Sequence, residues 1–473
     1  MGTKIDMKDK ANSATSGDNG KDGKYDLLDI YFFKNLVKNR YFKPIINFLL
    51  FIFLLVVIYF GLSSEPDLRF HGGIPFATTM IWDLWHPLLA FTVIIVGRLW
   101  CFACPIGAVG EWTQSIFSLN RKYPEKYRNF WIAVILFLVI FAGERHLFQF
   151  TRNPPNTAYL LLVFTVLAII MGAVYEKRSF CRYICPIGLV LGVFSMLSAI
   201  ELRCKSKKTC HDHDIKECVI GSGSGKACPV GEFPQTMERN NQCIMCMECV
   251  KSCSKGNIRI SPRIPGTDII HSKKVHLDEA YFIHGLLIIF LFVMGMERLQ
   301  FRNVIINFVK STLPVDSLVF LDLYWRNMWA LIIFTLITLG AAGLMYILTK
   351  AVFSGRNTKQ KFIELSYAFI PLGLSVYLAE NTFRLLKGLF FIVESIGNLF
   401  GRIWEFSPDF DAINLMQLLL LSAGFIGTLW AGYLISRRNS QEENEFQQNM
   451  IAIGCMAVVY FAIGFNILTL PII

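Results

Sequence analysis

Nine apolar stretches decide what this chain of 473 residues can become. They lie at roughly 45–62, 84–102, 130–149, 157–175, 281–297, 328–349, 362–380, 412–434 and 449–470. A helix needs about 20 apolar residues to cross the hydrocarbon core of a bilayer. In that medium each backbone N–H and C=O must be paired without help from water, so a span is either a helix or part of a closed barrel. Runs this long select the helix. A mean hydropathy of +0.46 and a hydrophobic content of 54% belong to the same class. The expected fold is mainly α: a polytopic transmembrane helical protein of about nine helices.

Charge orients the spans. The formal charge is +11, which in a soluble chain would point to a polyanion such as nucleic acid. Here the basic residues collect in particular loops. Lys34, Lys38, Arg40 and Lys43 precede the first span; Arg121, Lys122, Lys126 and Arg128 follow the second; Lys177, Arg178, Lys205, Lys207 and Lys208 follow the fourth. The Arg356–Lys361 loop and Arg437-Arg438 continue the pattern. Threading from an inside N-terminus puts all of them on one face, which the positive-inside rule makes cytoplasmic. The partner read from this charge is the membrane and not nucleic acid. The expected location is the inner (cytoplasmic) membrane of a bacterium or archaeon, with the C-terminus outside. Segments 185–200 and 385–400 are apolar but short or interrupted, and read as interfacial or re-entrant.

The chain then divides into four parts. Residues 1–42 form a basic N-terminal segment, expected to be disordered and without a signal peptide. Residues 43–199 are a four-helix membrane domain, 200–275 a soluble insert, and 276–473 a five-helix membrane domain.

Twelve of the thirteen cysteines lie between 101 and 253. The run Cys243-x2-Cys246-x2-Cys249-x3-Cys253 has the spacing of a bacterial ferredoxin loop, whose fourth cysteine ligates the other cluster of a two-cluster domain. Structural zinc instead takes two Cys-x2-Cys pairs split by a longer loop. Upstream, Cys204, Cys210, Cys218 and Cys228 are more widely spaced but supply the needed number. Exchange of fourth ligands assigns Cys243, Cys246, Cys249 and Cys228 to one [4Fe–4S] cluster. It assigns Cys204, Cys210, Cys218 and Cys253 to another. The insert is thus expected to be a cytoplasmic, ferredoxin-like α+β unit with two clusters. His211 and His213 are read as solvated, and Cys455, alone in an apolar helix, as packing.

An internal repeat frames this region. Gly97-Arg98-Leu99-Trp100-Cys101 leads into Cys104-Pro-Ile-Gly, and Lys177-Arg178-Ser179-Phe180-Cys181 leads into Cys185-Pro-Ile-Gly. Each follows a pair of spans, the trace of a parallel repeat. A Cys-Pro turn frees backbone N–H groups near the thiolates, which favours an anionic centre. Cys101, Cys104, Cys181 and Cys185 are therefore candidate metal ligands for a third cluster. Buried, unliganded cysteines are the alternative.

Ionisable residues at a membrane are costly and tend to be functional. His86, Glu144 and His146 fall at predicted outer helix ends and are candidate catalytic groups of a quinol site, where released protons need acceptors. Snorkelling and ion pairing is the plainer reading of the same residues. A haem b between His86 and His146 is a further reading, although there is no Cys-x-x-Cys-His.

The paired Cys-Pro turns at helix ends, followed by a two-cluster ferredoxin region, resemble the NapH/NosR/CcoG group of membrane-bound 4Fe-4S polyferredoxins over about residues 45–275. The resemblance carries Cys101, Cys104, Cys181 and Cys185 as the turn cysteines, and Cys243, Cys246, Cys249 and Cys253 as the ferredoxin motif. It implies electron transfer linking the quinone pool to a partner redox protein, as in a quinol dehydrogenase. It equally admits a maturation or metal-reducing factor for another metalloenzyme. This chain lacks the flavin region and immunoglobulin-like domain found in some members, and adds a C-terminal membrane block. That block admits a third reading, a redox-coupled transporter, for which Pro371-Leu372-Gly373 within one span is the hint.

Overall fold

A computed structural model describes residues 25–64, 76–146, 149–271, 275–296, 358–399 and 409–470, with scattered residues between 298 and 350. The side chains of 142–146 and 395–399 lie outside that description. The chain opens with α1 (Tyr31–Lys38), then α2 (Phe42–Ser63) and α3 (Phe76–Val96). Two short helices follow, α4 (Leu99–Ala103) and α5 (Pro105–Ile116). The course is then repeated: α6 (Trp131–His146), α7 (Pro154–Val174), α8 (Ser179–Tyr183) and α9 (Pro186–Phe194).

The insert holds one antiparallel pair, β1 (Ile200–Cys204) and β2 (Ile258–Pro262), in the register Leu202↔Ile260. Between the strands lie α10 (Lys207–His211), α11 (Glu217–Ile220) and α12 (Glu248–Ser252), and after them α13 (Thr267–His271). The second membrane block comprises α14 (Leu277–Met296), α15 (Thr358–Glu394), α16 (Phe410–Asn439) and α17 (Glu443–Thr469).

Seven of these helices, α2, α3, α7, α14, α15, α16 and α17, are long and apolar enough to cross a membrane among the described residues. They answer to seven of the nine apolar stretches. The stretch 130–149 forms the shorter α6, and 328–349 lies almost wholly outside the described residues. The segment 385–400 is not a separate element: the helix that begins at Ile370 continues through it to Leu399 and packs against α3. Over their most apolar stretches α14 and α15 are 89% buried, against 28% for α2. They form the interior of the bundle while α2, α7, α16 and α17 turn apolar faces outward. Cys455 on α17 is on such an outer face, exposed and not packed as expected.

Both ends of the bundle can be followed through contacts. Asn439 donates to Glu364 at 2.6 Å, Lys361 pairs with Glu445 at 2.9 Å, and Arg438 donates to the carbonyl of Ile270. The turn between α16 and α17 therefore shares the insert's end of the bundle. At the opposite end Lys387 pairs with Asp83 at 2.9 Å.

The N-terminal segment departs from expectation. Residues 25–42 are ordered, while 1–24 lie outside the described residues. Asp26 caps a single 3-10 turn, Leu27–Asp29, and its Oδ1 also accepts from the Ile260 N–H at 3.1 Å. Leu28 and Val37 bury themselves against Leu202, Met245, Val250 and Ile260. The cause is amphipathicity that polar composition conceals: α1 has one apolar stripe, and the insert offers it a matching surface.

Candidate metal centre

The two repeats end in the same device. After α3 the chain turns through Gly97 (φ 59) and after α7 through Lys177 (φ 58), both left-handed. Glycine adopts this region freely, and lysine does so at some cost. The next residues, Arg98 and Arg178, cap the five-residue helices α4 and α8, which carry Cys101 and Cys181. Cys104 and Cys185 then cap α5 and α9, each with proline at the first helical position. The Gly188 N–H points at Cys185 Sγ at 3.3 Å, and the Gly107 N–H does the same service for Cys104. A thiolate in that position meets the positive end of a helix.

These four thiols form one group. Cys185 lies within electrostatic reach of Cys181, Cys104 and Cys101. Burial pushes the Cys181 thiol up to about 12, and its neighbours Cys104 and Cys101 oppose its ionisation further. Burial likewise raises the Cys104 and Cys185 thiols, and a cationic centre bound by such thiols would deprotonate them outright.

The insert's eight cysteines are neighbours as well. Cys249 is raised first by burial and then by Cys246, Cys243, Cys228 and Cys218. Cys218 is pushed up to about 11 by burial and then by Cys210, Cys253 and Cys228, and Cys204 hydrogen-bonds with Cys210. The loop carrying Cys243, Cys246 and Cys249 places Met245 (φ 52) and Met247 (φ 61) in the left-handed region, a strained path that turns successive amides inward. Asn257 serves two of the insert's cysteines: its backbone N–H reaches Cys253 Sγ at 3.4 Å and its side-chain amide Cys210 Sγ at 3.1 Å. His211 is exposed beside Asp212, and His213 lies 4.0 Å from Glu217, so neither turns toward the thiols.

Among the described residues no three Cys, His, Asp or Glu side chains are gathered tightly enough to hold a single metal ion. A zinc site needs four ligands about 2.0–2.3 Å from one point. A cubane takes one thiolate at each of four separated irons. Neighbouring thiols that do not close on one point suit the larger centre.

Buried charges tie the groups together. Arg178 Nε pairs with Glu111 at 2.6 Å, and Glu111 pairs with Lys43 at 2.8 Å. Burial alone would raise the Glu111 carboxyl, but Arg178 and Lys43 hold it down at about 2. Lys43 in turn is close enough to Cys246 to favour its thiolate. On the other side Arg98 Nη1 donates to the Asn241 carbonyl at 2.6 Å, two residues before Cys243. Sequence reading used Lys43 as a topological charge alone and passed over Glu111, Asn241 and Asn257. The one available signal was the arginine placed three residues before a cysteine in both repeats.

Of the three candidate quinol residues, His86 alone has a described side chain. His86 lies mid-span, about 15 Å of helix from Val96, because α3 begins eight residues earlier than the apolar run suggested. Asn381 donates its amide to Glu380 at 2.7 Å and to the Tyr377 carbonyl at 2.8 Å, so its oxygen accepts from His86 Nδ1 at 3.1 Å. Tyr377 donates to His86 Nε2 at 3.0 Å. Both ring nitrogens are engaged, which does not fit a haem ligand. The side chains of Glu144 and His146 lie outside the described residues.

A cavity of about 610 Å³ lies instead at the insert's end of the bundle, between α1, α2, the end of α3 and the ferredoxin loop. Leu36, Phe42, Val96, Trp100, Met245 and Cys246 are among its walls, which are almost wholly apolar. A larger cleft, about 830 Å³, has polar walls that include Arg40, Lys43, Glu111 and Lys226.

Fold and thiol groups together define a helical membrane protein built to hold iron–sulfur centres. The comparisons agree. A family model described as "4Fe-4S binding domain" matches residues 79–124 and 157–203, the two copies of the Cys-Pro repeat. "Uncharacterized protein MJ0749" of Methanocaldococcus jannaschii is 31% identical over 243 residues, covering 49% of this chain and 91% of that protein. The chain belongs to the same family as this archaeal protein and carries the 4Fe-4S binding domain. "Uncharacterized protein MJ0750" of the same organism is 23% identical, covering 45% of this chain and 91% of that protein. The "Putative electron transport protein YccM" of Escherichia coli is 24% identical, covering 35% of this chain and 52% of that protein. No solved structure matches.

Proposed function

We propose that this protein transfers electrons one at a time between the membrane quinone pool and a partner redox protein. The observation that supports the reading is that the twelve cysteines between 101 and 253 lie in neighbouring sets, at the Cys-Pro turns and in the insert, linked through Arg98 and through Arg178, Glu111 and Lys43. Cys101, Cys104, Cys181 and Cys185 would hold one [4Fe–4S] centre. Cys243, Cys246, Cys249 and Cys228 would hold a second, and Cys204, Cys210, Cys218 and Cys253 a third. Such centres supply one-electron exchange.

The quinone belongs in the apolar cavity beside Cys246. Oxidation of a quinol to the quinone releases two electrons and two protons, so the site must meet both a redox centre and a route to water. The cavity touches the ferredoxin loop, and Lys251 stands in its wall. A site at mid-span or beyond would be separated from the thiols by at least half a membrane thickness. The bundle lies in the cytoplasmic membrane with the insert in the cytoplasm, a reading that the basic loops support. The test is quinol-driven bleaching of the iron–sulfur absorbance in Ala103→Phe protein, in which a bulky ring fills the cavity. Reduction at least ten-fold slower with unchanged iron is expected. A wild-type rate would remove the quinone from this cavity.

One observation favours the transporter as a second reading. α3 contains a π-helical stretch, Thr79–Trp85, ending at His86, and α15 contains a 3-10 turn, Tyr367–Phe369. Irregular turns of this kind often mark functional sites. These helices meet at the buried set His86, Tyr377, Glu380 and Asn381. Proteoliposomes containing a pH dye, assayed in the same experiment, distinguish the readings: acidification that depends on His86 would favour a coupled pump.

A further inference from the structure

The arginines that precede the Cys-Pro turns are exchanged between the repeats. Arg178, from the second repeat, lies over the first repeat's turn: its Nη1 is 2.8 Å from where a Cβ on Gly107 would stand. Arg98, from the first repeat, lies over the second repeat's turn: its Nη2 is 3.1 Å from the same point on Gly188. The glycine of each Cys-Pro-Ile-Gly is thus the space through which the opposite arginine approaches. Both arginines are buried, Arg98 at 2% exposure and Arg178 at 4%.

Each also keeps one buried N–H without a protein acceptor, Nε of Arg98 and Nη2 of Arg178. Buried polar groups are nearly always paired, and an unpaired one on a cation is costlier still. Here two such cations, one from each repeat, lie against the Cys-Pro turns, and Cys181 Sγ is 3.3 Å from the same point on Gly107 that Arg178 approaches. Two buried guanidinium groups, each with an unsatisfied donor, favour an anionic group at the repeat axis, which a thiolate-ligated cluster would supply.

We infer that Arg98 and Arg178 are a crossed pair of charge-compensating residues that set the reduction potential of the centre at the Cys-Pro turns. The inference rests on the reading that these thiols hold a [4Fe–4S] centre. A cubane with four thiolates is anionic in both redox states and more so when reduced, so a fixed buried cation favours the reduced form. Net charge, hydrogen bonds to sulfur and exclusion of water are the quantities that tune such potentials, and the arginines supply the first. Glu111 works against Arg178 by pairing with it, which gives a built-in test of sign.

The experiment is a redox titration followed by EPR on the full-length protein, purified anaerobically in detergent, with iron and sulfide determined on the same samples. Arg98→Gln and Arg178→Gln should each lower the midpoint of one signal and leave the two insert signals in place. Glu111→Gln should move that same signal upward. Arg98→Lys and Arg178→Lys, which keep the charge, should stay closer to wild type than the glutamine variants. A wild-type protein with iron for only two clusters would end the cluster reading and this inference together. Three clusters with an unmoved midpoint in both glutamine variants would overturn the inference alone. Loss of the signal in the glutamine and lysine variants alike would also overturn it, since the arginines would then be structural pins.

Discussion

Adding a single methyl group at Gly107 tests the crossing of the repeats directly. In Gly107→Ala the new Cβ would stand 2.8 Å from Arg178 Nη1, 3.2 Å from its Cζ and 3.3 Å from Cys181 Sγ. Comfortable contacts begin near 3.5 Å, so the guanidinium must withdraw by roughly 0.7 Å. It has little freedom to do so, because Nε is held by Glu111 at 2.6 Å and Nη1 by the Cys101 carbonyl at 2.5 Å. Either the buried ion pair lengthens or the two turns move apart. Overpacking of this kind costs about 1–3 kcal/mol, at least a factor of roughly 5 in the folded population. The assay is the apparent Tm and the iron content of purified protein, beside Gly223→Ala, whose Cβ meets nothing within 4 Å. Gly107→Ala should melt lower and lose up to about a third of its iron, with the insert's EPR signals retained. If it matched Gly223→Ala in both measurements, the arginine would not occupy the turn and the crossing would be wrong.

Cys101→Ser and Cys185→Ser should each remove about four irons of about twelve; full iron after both substitutions would reduce the turns to packing elements. Topology is open to labelling: single cysteines at Lys205 and Arg437, in a background lacking Cys455, should react from the same side of the membrane and one at Thr469 from the other. Labelling of Lys205 and Arg437 from opposite sides would overturn the orientation.

Much of the bundle was legible because lipid imposes length and continuity on a span, and α2, α7, α16 and α17 display both in sequence. The extent of α3 was not. Its first turns carry Trp82, Asp83 and Trp85, polar or amphipathic groups that interrupt an apolar run but pair within the bundle, Trp82 with Thr157 and Asp83 with Lys387. Hydropathy registers the loss of apolar surface and cannot register the partner. That error placed His86, which lies mid-span, at a helix end. The N-terminal helix was hidden for the opposite reason: α1 is too short to announce itself, and its order comes from a surface on the insert that is distant in sequence. The repeat was legible as a pattern of residue types, yet its meaning lay in which glycine each arginine meets across the axis, a relation between residues some 70 to 90 positions apart.

The same charges fix how the insert sits on the membrane body. Arg98 donates to the Asn241 carbonyl, the Asn241 amide donates to Glu279 on α14 at 3.0 Å, and Arg239 pairs with Glu279 at 2.6 Å. Arg239, Glu279 and Tyr367 are all buried, and Tyr367 donates to the same carboxylate. A buried ion pair contributes little net stability when complete, but leaving one partner unpaired costs about 3–5 kcal/mol. Docking through such contacts is therefore insensitive to small improvements and intolerant of partial loss. The contacts exist only when residues 239–241 are held in place, and that segment leads directly into the strained loop of Cys243, Cys246 and Cys249. Seating of the insert over the membrane body therefore runs through residues 239–241, the segment that leads into the cysteine loop.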